Sequence, residues 1–129
     1  MNNNEAEAFE NIISRMKPSE DELSQAFRQG YIAGRCNSDS RLYDIATHYG
    51  YTAQREQFIE ECAEAVLAAQ KCKRHGSKEN FEALESEVAD VLIMAMQMRL
   101  LMSTTAVDNI IEQKIQRQLE RIRKEQNDE

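Results

Sequence analysis

The sequence predicts an all-α fold, a helical bundle built on an antiparallel αα-hairpin and completed by oligomerisation. Glu, Gln, Ala, Leu and Met are abundant, while only one Pro and four Gly interrupt 129 residues, a balance that favours helices over strands. Apolar residues recur at three- and four-residue steps, with no convincing alternating strand pattern. Start and stop residues divide the chain into helix-sized pieces.

The first expected segment runs from Glu5 to Met16 and is stopped by Lys17-Pro18, because the residue before proline is disfavoured in helical geometry. Ser19 caps the second, which ends near Gly34. CNSDS is a polar loop, and Arg41 to Tyr49 forms a short helix closed by Gly50. Thr52 is placed as the cap of a long helix running to about His75. Lys73, Arg74 and His75 suit the negative end of its dipole, and Gly76 terminates it. Ser77 restarts the chain as the cap of a helix reaching about Met102. Thr105 and Asp108 resemble a capping box for the last helix, which frays into KEQNDE. The expected organisation is a helical extension over 1–48, a core over 49–125 and a frayed tail over 126–129.

A net charge of −7 argues against nucleic acid or an anionic membrane as partner. The opening MNNNEAEAFE lacks the basic-then-apolar order of a signal peptide. The apolar run from Val88 to Met102 is short for a bilayer span and carries Asp90, Gln97 and Arg99. Cys36, Cys62 and Cys72 have no metal-binding spacing, and Cys62 and Cys72 fall on an apolar helix side. Reduced thiols and a cytoplasmic location are the expectation.

The chemistry-bearing residues lie on the hairpin. From Val88 onward the second arm is apolar nearly all round, so an ionised Asp90 there needs a partner or a metal. Glu87 is one turn earlier on the same side. In the first arm the apolar stripe is read as Phe58, Cys62, Ala65, Val66 and Ala69, with Glu61 and Glu64 on its flank. Glu61 and Asp90 are equally far in sequence from the His75-Gly76 turn, and so are Glu64 and Glu87. Two acidic pairs therefore arrive level with each other, a set of hard oxygen donors suited to Mg²⁺. The spacing alone is weak, because Glu-x-x-Glu occurs four times in the chain and most such pairs are solvated faces.

A di-iron bundle would need Glu-x-x-His motifs, and neither His48 nor His75 is so placed. No Gly-rich phosphate loop and no supported Ser/His/Asp or Cys/His arrangement is present. A helix-turn-helix over Arg41 to Phe58 conflicts with the acidic balance. On the last helix Ile111, Ile115, Leu119 and Ile122 form an apolar stripe beside a basic one of Lys114, Arg117, Arg121 and Lys124. That basic stripe is either a solvated, ion-paired face or, at Lys114 and Arg117, a phosphate-binding one. Lys71, Lys73 and Arg74 are weaker phosphate candidates, about two turns from Glu64. Met94, Met96, Met98 and Met102 read as packing, and their all-round distribution favours an oligomer.

Glu60-Glu61-x-x-Glu64, a basic turn, Glu87-x-x-Asp90-Val91-Leu92 and a downstream Lys114-x-x-Arg117 together resemble the MazG-like nucleotide pyrophosphohydrolases of the all-α NTP pyrophosphatase superfamily. The resemblance spans roughly Tyr49 to Ile122. It implies hydrolysis of a nucleoside triphosphate to the monophosphate and pyrophosphate by a metal-activated water. It further implies Glu61, Glu64, Glu87 and Asp90 as ligands of Mg²⁺, with Mn²⁺ as a substitute. Glu60, Glu61 and Glu64 would serve catalysis, Glu60 by orienting water or a ligand. Lys114 and Arg117 would bind the phosphates of a homodimer's or homotetramer's substrate. Phosphoribosyl-ATP pyrophosphatase, and a non-catalytic helical module that binds metal or nucleotide, are the alternatives.

Overall fold

The computed structural model describes residues 39–128, together with Asn4, Glu7, Ala8 and Asn11. The two helices expected before Gly34, and Cys36, otherwise lie outside the described residues. Within them the chain is all-α, with four helices and no strand: α1 (Ser40–Tyr49), α2 (Tyr51–Arg74), α3 (Lys78–Leu101) and α4 (Thr104–Asn127). No helix among them is long and apolar enough to cross a membrane.

The local chemistry explains each boundary. The Asp39 carboxylate accepts the Arg41 backbone N–H at 2.9 Å and pairs with the Arg41 guanidinium at 2.7 Å, which caps α1. Those hydrogen bonds hold the Asp39 carboxyl below its ordinary range. Gly50 then turns with φ +83°, a left-handed conformation that a side chain would strain. Its N–H closes α1 on Ala46 while its carbonyl already opens α2 by accepting from Gln54. The chain thus passes from one helix into the next at a single residue. Thr52 is left inside α2 rather than capping it, contrary to the expectation from sequence.

Ser77 caps α3 as expected, its hydroxyl accepting from the Asn80 N–H at 3.1 Å. At the start of α4 the cap is Ser103, which accepts from Ala106 at 3.2 Å, and not Thr105. The capping-box reading fails because Asp108 is engaged elsewhere. Its two oxygens receive Nε and a terminal nitrogen of Arg99, at 2.7 and 2.6 Å, across the turn between α3 and α4. Helix α4 also continues to Asn127, so most of the tail expected to fray is helical.

Helices α2 and α3 form the antiparallel hairpin, and α1 packs across both. Ala46, on α1, is fully buried by that packing. The hairpin seam follows the alternating four- and three-residue spacing of a coiled coil. On α2 it is Gln54, Phe58, Glu61, Ala65, Ala68 and Cys72; on α3 it is Asn80, Leu84, Glu87, Val91, Met94 and Met98. Every one of these is buried or half-buried. The stripe expected on α2 is therefore rotated, with Val66 exposed and Glu61 inside the seam rather than on its flank. Two hydrogen bonds join the arms at this register. Near the turn the Cys72 thiol donates to the Asn80 carbonyl at 3.1 Å. At the far end the Gln54 amide donates to the Gln97 side-chain oxygen at 2.5 Å.

Candidate metal centre

Between those two contacts the seam holds acids. Glu61 enters from α2, and Glu87 and Asp90 enter from neighbouring turns of α3. One carboxylate oxygen from each of the three lies within 4.8 Å of the others, and all three residues are half-buried. The small side chains Ala65 and Ala68 follow Glu61 along the α2 side of the seam. Sequence spacing carries this convergence: a residue three positions on from Glu87 stays on the same side of α3.

The hydrogen bonding is incomplete in an informative way. Glu61 Oε1 accepts the Gln57 side-chain amide at 2.7 Å, which orients the carboxylate from one turn earlier. Glu61 Oε2 and Glu87 Oε2 are buried and have no hydrogen-bond partner among the described residues. Buried carboxylate oxygens without donors are costly, and a cluster of three multiplies the repulsion. A bound cation meets both demands at once, so the residues present fit a metal ion, as the three-carboxylate set itself allows.

Glu64 stands one turn from Glu61 and is exposed. It is outside the three-carboxylate cluster but feels it. The Glu61 charge first, then loss of hydration and the charges of Glu87 and Glu60, raise the Glu64 carboxyl above its ordinary range. Glu60 is exposed beside it. Of the expected ligands the structure thus gathers Glu61, Glu87 and Asp90 and places Glu64 at their edge.

Glu64 and Glu87 also form one end of a groove of about 430 Å³ between α2 and α3. It is also lined by Leu67, Ala68 and Ala83 and, towards the hairpin turn, by Lys71, Arg74 and Asn80. Lys71 and Arg74 are two of the three residues that the sequence ranks as weaker phosphate candidates for their distance from Glu64. Long helical side chains generally lean towards the N-terminus, a direction that sequence distance alone does not register. Lys114 and Arg117 are exposed on α4 and neither line this groove nor pair with its carboxylates. Helix α4 has no buried residue, and its contact with the hairpin is to α3.

Comparison of the chain with protein-family models, with curated proteins and with solved structures finds no match.

Proposed function

We propose that the chain is a Mg²⁺-dependent nucleoside triphosphate pyrophosphohydrolase of the MazG-like kind, converting a (d)NTP to the (d)NMP and pyrophosphate. The observation that carries this reading is the convergence of Glu61, Glu87 and Asp90 within a seam where two of their oxygens are buried and unpartnered. The order of the acidic motifs along the chain, resembling that family, adds the reaction to the metal site.

Hard carboxylate donors suit Mg²⁺, with Mn²⁺ as a substitute. When bound, such a cation supplies neutralisation of phosphate charge and a nucleophilic water. The protein's own part is positional. Gln57 fixes one Glu61 oxygen and leaves the other directed at a ligand. Glu87 and Asp90 complete the grip from α3, and Glu64 closes it from the groove side as a fourth carboxylate. Glu60, exposed next to Glu61, orients water at the rim.

The assembly is a homodimer or homotetramer. Val88, Leu92 and Ile93 on α3 are exposed, as are Ile110, Ile111, Ile115, Leu119 and Ile122 on α4. A second apolar groove, of about 450 Å³, runs along α3 between Phe81 and Leu92. Such faces are covered in an oligomer. In that assembly Lys114 and Arg117 reach the phosphates bound by a neighbouring copy. The free Cys62 and Cys72 accord with a reducing cytoplasm.

Incubation with a panel of NTPs, dNTPs and phosphoribosyl-ATP, with and without Mg²⁺, tests the reading through pyrophosphate release. Metal-dependent pyrophosphate from a nucleoside triphosphate is the expected result, lost in Glu64→Gln and Asp90→Asn with the fold retained. Release from phosphoribosyl-ATP alone would select that alternative. Silence on every substrate would leave a binding module.

A further inference from the structure

We infer that the turn end of the α2–α3 groove is a subsite for the distal phosphates of a nucleoside triphosphate, held by Lys71 and Arg74. The inference rests on the metal-site reading above, since it takes the first phosphates to lie at the carboxylate end.

The groove is charged oppositely at its two ends. Glu64 and Glu87 line one end and Lys71 and Arg74 the other. Seven residues of helix separate Glu64 from Lys71, a rise of about 10 Å. The N-terminal lean usual for long helical side chains would shorten that span, and both cations do line the groove. Yet neither cation forms an ion pair with Glu64 or Glu87, or with any other described residue. Cations sharing a groove with carboxylates and unpaired to them are available to a ligand. The ligand that matches both ends is an anionic chain: its proximal part bridged by metal to the acids, its distal part neutralised by ammonium and guanidinium. A triphosphate tail has that form, and the arginine fork is matched to phosphate oxygens.

A purely structural reading of these residues is that they complement the α2 macrodipole, whose last turn carries Lys71, Lys73 and Arg74. Lys73 separates the two readings. It shares the dipole position but does not line the groove.

The test is calorimetric binding of a non-hydrolysable nucleoside triphosphate, of inorganic tripolyphosphate and of a nucleoside monophosphate, each with Mg²⁺, to the full chain and to Lys71→Gln/Arg74→Gln and Lys73→Gln. The double variant should weaken triphosphate and tripolyphosphate by about tenfold per cation removed, the scale of hydrogen bonds to charged groups. The monophosphate should bind it as it binds wild type, and Lys73→Gln should match wild type throughout. A nucleotide that displaces tripolyphosphate assigns the subsite to a nucleotide tail. Equal loss for mono- and triphosphate, or no loss in the double variant, overturns the inference. Mn²⁺ binding without anion, read by its paramagnetic signal, reports the metal centre separately. Mn²⁺ bound normally beside an unaffected triphosphate sinks the subsite alone. No pyrophosphate from any substrate, beside variant-sensitive triphosphate binding, sinks the hydrolase alone.

Discussion

Two levels of one hairpin, about two helical turns apart, bury polar side chains and treat them in opposite ways. At the far level Gln54 and Gln97 are 6% and 2% exposed. Gln54 donates to the Gln97 oxygen, and the Gln97 amide meets the Met94 sulfur at 3.6 Å. At the nearer level Glu61 and Glu87 each keep a buried oxygen without a partner. The helices, the seam and the register are shared, so the difference lies in chemistry. Two amides can satisfy each other, as one offers a donor and the other an acceptor. Two ionised carboxylates are acceptors only and cannot satisfy each other. The first level satisfies itself as folded; the second keeps two buried acceptors unfilled.

That contrast has its largest consequence in metal response. Wild type should gain stability with Mg²⁺ or Mn²⁺, by about 2.7 kcal/mol when free metal reaches a hundred times its dissociation constant. Glu87→Gln and Asp90→Asn should lose that gain. Without metal they should unfold no earlier than wild type, because each removes a repelling charge. Thermal melts with and without metal decide the point. A Glu87→Gln protein that is much less stable than wild type in chelator would mean that the acids are held together by the chain itself.

The amide level should behave in the reverse sense. Gln54→Ala leaves Gln97 buried without its partner and should cost about 1–3 kcal/mol. The cost should be the same with metal and without. Replacing both glutamines by leucine should recover most of it, since removing both partners of a buried pair is far less harmful than removing one. Urea unfolding of the two variants is sufficient. Full loss in the double variant would mean that the pair also sets the helix register.

Much of this was readable from the chain. The hairpin, its turn, the Ser77 cap and the meeting of Glu61 with Asp90 all follow from spacing and from the chemistry of helix ends. What was hidden is instructive. Hydrophobicity alone places the apolar stripe of α2 through Val66 and Ala69. The true seam runs through Gln54, Glu61 and Cys72 instead. A helix whose buried face is polar or small, and whose outer face carries Val66 and Leu67, misleads any argument from hydrophobic pattern alone. The inner face carries the acidic cluster, while the outer one is exposed within a single chain. The acid three residues on points to Thr105 as the cap of α4, where the structure has Ser103. Nothing local in sequence signals that Asp108 is needed by Arg99.

That last pair supplies the smallest effect and the simplest counterpoint to the carboxylate cluster. Asp108 is a carboxylate whose partner is part of the fold. The Arg99 guanidinium, 16% exposed and bound at 2.6 Å, holds the Asp108 carboxyl below its ordinary range, chiefly by hydrogen bonding. The folded chain therefore binds fewer protons at Asp108 than the unfolded chain does in the interval between the two titrations, and stability rises with pH across it. The contribution is whole above the unfolded value, near about 4. It is lost as pH falls through the lower folded one. Asp108→Asn should lower the melting temperature slightly at neutral pH, by an amount that shrinks in high salt because half of the Asp108 side chain is in water. As pH drops below about 4 the wild-type and variant curves should converge. Metal should move neither curve relative to the other. A gap that instead widened on acidification, or closed on adding Mg²⁺, would tie Arg99 and Asp108 to the carboxylate cluster and break the distinction between acids paired within the fold and acids left for a ligand.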